Sequence, residues 1–270
     1  LISAIVHKDS PRTKNMLGRS FYKSLYNCLE QILTVSEADS QRILLAIPEH
    51  EQVKVMGEIR CDSVIERREH LEIPKLPQAR KAGFVFIAAS TWPKDEKCIF
   101  PGLKEALKIF PELFLIVAPH EPTEKHLKNT ENFFKNFKVE RYGNMGSDSS
   151  ENRILLVDKV GVLAGLYYYA DMVYVGGAFT SGVHNILEPA SMKAKIVFGP
   201  RYSNSIAAIE MVRQKIAFSV NNSNKFNKLL FDSLANRDRC KDLGNKSCIF
   251  LEKQVGATDV CVPLLLKNIS

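Results

Sequence analysis

Three glycines and a carboxylate between positions 176 and 188 are the residue types that a phosphate-binding loop needs. Gly176 and Gly177 end an apolar run. A short loop containing Gly182 then leads into a helix predicted to begin near His184–Asn185. Glycines let a ligand approach the backbone, and the free N–H groups of a helix N-terminus attract phosphate. Glu188, one turn into that helix, has a carboxylate that can accept hydrogen bonds from ribose hydroxyls.

The same stretch also has a purely structural interpretation. Gly176 and Gly177 can simply form a tight turn, and Glu188 can simply complement the helix dipole. Taken alone, the stretch favours neither interpretation. It is not a G-x-G-x-x-G motif, so it does not indicate a nicotinamide dinucleotide.

Polar or turn-forming residues follow four other predicted strands in the same way. Each set has a structural alternative, since Ser90 or Thr91 can cap a helix and His120 can be an exposed loop residue. If all the sets lie on one edge of one sheet, however, a ligand site becomes the better explanation. The four sets are Ser90–Pro93, Pro119–Pro122, Asp158–Gly161 and Gly199–Arg201.

The elements that carry these residues alternate regularly from Phe84 onward. Apolar runs that are continuous along the chain, each followed by a helical pattern, predict a parallel sheet covered on both faces. We therefore predict an α/β fold with a doubly wound parallel sheet, which binds ligands at the carboxyl ends of its strands. The predicted strands are Phe84–Ala89, Leu113–Val117, Ile154–Val157, Met172–Val175 and Lys195–Phe198.

Residues 1–70 predict an αβαβ segment that resembles the tail of a second domain whose beginning is absent. Apolar residues at helical spacing form one stripe, at Leu17, Phe21, Leu25, Leu29 and Ile32. Ser36 and Asp39 predict a capping box that opens the next helix. The Pro-rich and charged residues 71–83 are predicted to be a linker, and residues 84–270 a second domain.

The composition and the net charge indicate which kinds of partner this protein binds. The net charge of +7 favours an anionic membrane surface or a phosphorylated ligand. No nucleic-acid-binding signature is present, so we expect no nucleic acid. The six cysteines form no C-x-x-C pair, which is typical of a reducing compartment. No apolar run approaches the roughly 20 residues of a membrane-spanning helix.

The chain resembles the Kdo transferase family, whose members transfer 3-deoxy-D-manno-octulosonic acid (Kdo) from CMP-Kdo to the lipid A precursor. The resemblance runs from Leu1 nearly to Ser270, in order and with similar spacing. It is carried by the stretches Gly57–Asp62, Ala89–Pro93, Ala118–Glu121, Val157–Leu163, Val175–Gly177, His184–Ala190, Phe198–Pro200 and Gly256–Asp259.

The resemblance implies a GT-B type glycosyltransferase at the cytoplasmic face of the bacterial inner membrane. Residues 1–70 would be the end of the acceptor-binding domain and residues 84–270 the CMP-Kdo-binding domain, with no metal or other cofactor. By position, Arg60 would stabilise transition-state charge. The residues that would hold CMP are Ser90, Thr91, Pro119, His120, Val160, Gly161, Val162, His184, Asn185, Ile186, Leu187 and Glu188.

The sequence departs from the family at two points. Many members have Arg where this chain has His120, which removes one fixed charge near the phosphate. The family's general base is a glutamate in an S-x-G-E type segment, and this chain contains no such segment. The alternatives are therefore another GT-B transferase, a nucleotide-sugar epimerase, or a truncated nucleotide-binding protein without turnover.

Overall fold

The computed structural model describes residues 1–6, 10, 16–48, 52–76, 79, 81–145 and 152–267. These residues form two compact units. The first comprises Leu1–Glu66 together with Glu252–Ser270, and the second comprises Arg67–Leu251.

The second unit is built on a sheet of seven described strands. Every neighbouring pair is parallel, and the strand order is β5-β6-β4-β3-β7-β8-β9. The bounds are β3 Phe84–Thr91, β4 Leu113–Pro119, β5 Val139–Arg141, β6 Ile154–Leu156, β7 Met172–Val175, β8 Lys195–Phe198 and β9 Ala217–Ser219. The predicted doubly wound parallel sheet is confirmed.

Helices lie between most of the strands of this sheet, and the last two helices of the unit follow β9. Their bounds are α4 Pro93–Ile109, α5 Glu124–Phe133, α6 Leu163–Leu166, α7 Leu187–Ser191, α8 Ile206–Arg213, α9 Ser223–Ala235 and α10 Arg237–Glu252. Apart from Ser90, every residue of β3 and β4 is buried. The continuous apolar runs predicted this burial on both faces.

The strand order places a topological switch point between β3 and β7. From β3 the chain moves to β4 on one side, and after β6 it crosses back to β7 on the other side. Neighbouring loops at such a point diverge and leave a crevice outside the carboxyl ends of the strands. The loops that follow Thr91 and Val175 lie at this crevice.

The first unit contains two parallel strands, β1 Ile32–Thr34 and β2 Val53–Val55. Its helices are α1 Met16–Asn27, α2 Glu37–Leu44 and α3 Ile59–Glu69, which extends across the boundary between the units, and α11 Ala257–Leu266. The predicted cap is confirmed, since the Ser36 hydroxyl accepts a hydrogen bond from the Asp39 N–H.

The apolar stripe of α1 is not buried against the described residues. Leu17 is 86% exposed and Phe21 66% exposed. Tyr26 packs instead into the core of this unit, with Tyr22 partly buried beside it. The helix is confirmed, but the face that it turns inward carries tyrosines.

The C-terminal segment corrects the predicted domain boundary. We predicted that residues 84–270 belong together, but Glu252–Ser270 groups with the first unit. The Asp62 carboxylate accepts hydrogen bonds from the N–H groups of Gly256 and Thr258 at the start of α11. Those N–H groups have no partner within the helix, so Asp62 satisfies them and fixes α11 in this unit.

The described part of the predicted linker packs against the second unit. The Tyr169 hydroxyl donates a hydrogen bond of 2.6 Å to the Pro74 carbonyl oxygen, and Leu76 is buried. A Cβ on Gly165 would lie 2.5 Å from the Glu72 carbonyl oxygen, so the backbones approach closely there. Residues 72–76 are therefore a packed part of this unit.

Candidate nucleotide-binding site

The backbones of β3 and β7 come together at the switch point. The Gly176 N–H donates to the Ala89 carbonyl oxygen at 2.8 Å. A Cβ on Gly176 would lie only 2.1 Å from the Ser90 carbonyl oxygen, so only glycine fits. Ser90 has a φ of +50°, a conformation that is rare outside glycine and is often found at functional sites.

Three aromatic rings from three different strand ends form a cluster beside these backbones. His120 follows β4 and stacks on His184 of the β7–α7 loop, with ring centroids 4.3 Å apart and planes at 10°. The Trp92 ring, after β3, lies 4.7 Å from the His120 ring. The Trp92 indole Nε1–H donates to the His184 Nε2 at 3.1 Å. The structure therefore brings the predicted residues His120 and His184 into contact.

Behind the rings, the buried carboxylate of Asp95 joins the strand ends. It accepts hydrogen bonds from the Trp92 N–H and the Gly177 N–H, both at 3.0 Å, and from the Tyr174 hydroxyl at 2.8 Å. Three donors satisfy a buried carboxylate, which would otherwise be costly to bury. Burial is the main cause that raises the pKa of Tyr174, and the adjacent Asp95 raises it further.

A second buried network supports the β3 end. The Thr91 hydroxyl and the His126 Nε2 each lie 2.8 Å from Oε1 of Glu96. The hydrogen bond to Glu96 is the main cause that raises the pKa of His126, while burial opposes it. Thr91 thus contacts the helix through Glu96. The N-cap residue is Trp92, not Ser90 or Thr91, and its N–H donates to the Asp95 carboxylate.

The loop from Gly177 to Ile186 is held by backbone and side-chain contacts. The Asn204 side chain accepts from the Val183 N–H and donates to the Val183 carbonyl oxygen. The predicted helix start near His184–Asn185 is wrong, because α7 begins at Leu187 and has five residues. The Asn185 side-chain oxygen accepts from the Leu187 N–H and so occupies one of the free donors of this helix.

Glu188 lies in the first turn of α7 and is half-buried. Burial and the negative charge of Glu188 both raise the pKa of Tyr167, which follows α6 directly. Glu188 therefore lies close to the segment that continues from the loop at Val160–Val162. Within that loop Val160 is 81% exposed, and Gly161 has a φ of +91°.

The remaining predicted residues have simpler environments. Pro119 is buried at the end of β4, whereas Ile186 and Leu187 are buried at the start of α7. Arg60 lies on α3 in the first unit, where its guanidinium binds both carboxylate oxygens of Glu58 at 2.9 Å. This pairing is the main cause that raises the pKa of Arg60.

Sequence reasoning missed the residues behind the rings, namely Asp95, Glu96, His126 and Tyr174. A signal for Asp95 was present, because Pro93 at the first helical position with an acidic residue two positions later is typical of a helix start. Tyr174 gave no such signal, since it lies in a continuous apolar strand. Among the described residues, no group of three or more His, Cys, Asp or Glu side chains is arranged to hold a metal ion.

The fold has clear counterparts among solved structures. The C-terminal CMP-Kdo binding domain of WaaA from Acinetobacter baumannii matches with a TM-score of 0.58 and 22% identity, over 70% of this chain and 98% of that domain. The UDP-GlcNAc 2-epimerase from Neisseria meningitidis matches with a TM-score of 0.64 and 13% identity, over 98% of this chain and 68% of the epimerase. The fold is of the GT-B glycosyltransferase type.

Sequence comparison finds relatives with more specific activities than the fold alone indicates. A bifunctional glycosyltransferase/methyltransferase from Fusobacterium nucleatum is 28% identical over 235 residues, which cover 84% of this chain and 35% of that protein. A 3-deoxy-D-manno-octulosonic acid transferase from Rickettsia felis is 26% identical over 212 residues, covering 76% of this chain and 44% of that protein. Over 76% of its length, the chain is thus similar in sequence to a Kdo transferase. No protein-family model matches it, and it spans between a third and a half of the length of these two relatives.

Proposed function

We propose that the whole protein is a glycosyltransferase that transfers Kdo from CMP-Kdo to the lipid A precursor, lipid IVA. In this proposal the unit Arg67–Leu251 holds CMP-Kdo, the donor substrate. One observation carries the proposal: in a chain related to Kdo transferases, the loops after β3, β4 and β7 meet at the switch point around the stacked pair His120 and His184. Ligands of doubly wound sheets bind at this position.

We assign parts of the nucleotide to parts of the site. The phosphate lies against the backbone of the glycine loop and the side chains of His120 and His184. The ribose hydroxyls donate hydrogen bonds to Glu188, which is half-buried and is a negatively charged acceptor. The cytosine contacts Pro119 at the end of β4 and Val160–Val162 in the loop after β6.

The reaction that we propose is an inverting displacement without a metal cofactor. The acceptor hydroxyl oxygen forms a bond to the anomeric carbon of Kdo, the bond from that carbon to the CMP oxygen breaks, and the hydroxyl proton passes to a carboxylate base. Fixed donors at the switch point stabilise the charge that develops on CMP. The family resemblance implies that Arg60 also stabilises transition-state charge. In that role, the Arg60 guanidinium must leave the Glu58 carboxylate and contact the substrate instead.

The first test is nucleotide selectivity. CMP, UDP and GDP are added separately to the 270-residue chain, and thermal unfolding is followed. A ligand that binds the native state raises stability, by about 3 kcal/mol at a hundredfold excess over Kd. The proposal requires the shift with CMP to exceed those with UDP and GDP and to persist in EDTA. Equal or larger shifts with UDP or GDP contradict it.

The likeness to a UDP-GlcNAc 2-epimerase supports a second candidate, an epimerase or another GT-B enzyme that uses a uridine nucleotide. This candidate predicts that UDP gives the largest shift. A third candidate is a nucleotide-binding protein without turnover, and it predicts a CMP shift while CMP-Kdo and lipid IVA give no product with the full-length protein.

The net charge of +7 supports a location at an anionic membrane, which we propose is the cytoplasmic face of the inner membrane. None of the described helices combines the length and apolar character that crossing a membrane requires. Because the chain is basic, the contact that we propose is electrostatic attraction to acidic headgroups.

A further inference from the structure

The hydrogen bond between Trp92 and His184 determines which nitrogen of the imidazole carries a proton. The indole Nε1–H can only donate, so the His184 Nε2 at 3.1 Å must accept. An imidazole nitrogen that accepts a hydrogen bond carries no proton. His184 is therefore neutral, with its single N–H at Nδ1.

The position of Trp92 is fixed independently of His184. Its backbone N–H donates to the Asp95 carboxylate, which also accepts from the Gly177 N–H in the loop that carries His184. Asp95 is fully buried, so these two bonds are shielded from water. The Asp95 carboxylate thus fixes the segment that carries the donor, Trp92, relative to the loop that carries the acceptor, His184.

The imidazole of His184 is also fixed in orientation. A Cβ on Gly177 would lie 2.8 Å from both Nε2 and Cδ2 of His184, so this edge of the ring faces the backbone. Nδ1 is on the other side of the ring. Within the described residues, Nδ1 makes no hydrogen bond to the protein, so its proton is available to a ligand.

The surroundings disfavour a positive charge on His184. Burial is the main cause that lowers its pKa, and the stacked His120 lowers it further, while Asp95 opposes them. His120 faces the ring from the β4 end, and Trp92 and Asp95 face it from the start of α4. The neutral state that the hydrogen bond demands is therefore also the state that the electrostatics favour.

We propose that Trp92 is a positioning residue that holds His184 in the neutral Nδ1–H tautomer, so that Nδ1–H donates to a phosphate oxygen of the bound nucleotide. This inference rests on the proposed function for the ligand, but its tautomer part does not. The tautomer follows from the direction of the Trp92 hydrogen bond alone.

The tautomer is measured directly by long-range ¹H–¹⁵N correlation spectra of the ¹⁵N-labelled 270-residue chain at neutral pH. His184 is assigned by comparison with a His184→Gln variant. We expect a protonated Nδ1 and an unprotonated Nε2. A protonated Nε2 overturns the proposal, and this result needs no variant of Trp92.

The variant Trp92→Phe removes the donor but keeps an aromatic ring beside His120. We expect its His184 to show a mixture of both tautomers, and its CMP affinity to fall roughly tenfold, as for one lost hydrogen bond to a charged group. The control is Tyr169→Phe, which loses a hydrogen bond to Pro74 elsewhere in this unit. It should leave both the tautomer and CMP binding unchanged.

The outcomes separate the inference from the proposed function. If the wild-type tautomer is as expected but CMP does not bind, the proposed function fails and the fixing of His184 by Trp92 stands. If CMP binds while Trp92→Phe leaves the tautomer unchanged, the positioning role fails. If Trp92→Phe changes the tautomer but CMP affinity stays the same, the donation to phosphate fails.

Discussion

Glu188 is the single residue whose removal tests the proposed ribose contact. In Glu188→Ala a negatively charged acceptor is lost, and the ribose hydroxyls that enter the site have no partner there. We expect CMP affinity to fall roughly ten- to a hundredfold, which corresponds to the loss of about 1.5–3 kcal/mol for hydrogen bonds to a charged group. Isothermal titration calorimetry measures the change.

Glu105→Ala is the matched control for this variant. Glu105 is an exposed carboxylate of the same unit, and its ion pair is with Lys108 one turn further along α4. Its loss should leave CMP affinity unchanged. Unaltered CMP binding in Glu188→Ala would remove Glu188 from the site.

His126 gives a residue-scale prediction about pH and stability. Its pKa in the native state is raised above the ordinary 6.5, chiefly by the hydrogen bond to Glu96. The protonated form is therefore favoured by folding. This contribution is fully present below about pH 6.5 and is lost as the pH rises through the raised native pKa.

The variant His126→Gln should therefore lose more stability at pH 6 than at pH 9. Urea denaturation at both values gives the free energies of unfolding, and subtracting the variant from the wild type cancels the titration of other groups. His70→Gln, at an exposed histidine, is the control and should show no such difference. An equal loss at both pH values would show that His126 is not charged in the native protein.

At the scale of elements, the loop after β7 depends on the backbone at Gly177. Gly177 and Gly161 have almost the same φ, +92° and +91°. A Cβ on Gly177 would lie 2.4 Å from the Gly182 carbonyl oxygen, whereas nothing lies within 4 Å of one on Gly161. The pair therefore separates the cost of the backbone conformation from the cost of crowding.

We expect Gly161→Ala to destabilise by about 1–2 kcal/mol through the left-handed conformation alone. Gly177→Ala should cost about 1–3 kcal/mol more, because the loop must move to accommodate the methyl group. Chemical denaturation of both variants measures the difference. Equal losses would mean that the loop adapts freely, which would weaken its assignment as a fixed part of the site.

The elements also show which features a sequence can predict. Continuous apolar runs predicted the central strands because a strand buried on both faces has no solvent-exposed face, and so no alternating polar side chains. The same local rules placed the start of α7 too early, because they do not show that the Asn185 side chain caps Leu187. They also missed Asp95 as a link between β3 and β7, since it bonds Gly177 across 82 positions.

At the scale of the whole molecule, long-range contacts explain the error in the domain boundary. Asp62 and Gly256 are 194 positions apart, and no periodicity in the sequence relates them. The cluster of Trp92, His120 and His184 is assembled in the same way, from three strand ends. The sequence predicted that the strand ends share one edge, but the contacts among their side chains depend on the strand order, which local patterns do not determine.

The net charge of +7 leads to a prediction for the molecule as a whole. A basic protein is attracted to acidic lipid headgroups over a distance of about 10 Å at 0.1 M salt, and added salt screens this attraction. We expect the 270-residue chain to sediment with vesicles that contain phosphatidylglycerol at low salt, and to dissociate as salt is raised. Vesicles of phosphatidylcholine alone are the control and should leave it in the supernatant. Absence of binding to the anionic vesicles at low salt would contradict the proposed membrane contact, and binding that salt does not weaken would show that apolar insertion replaces electrostatic attraction.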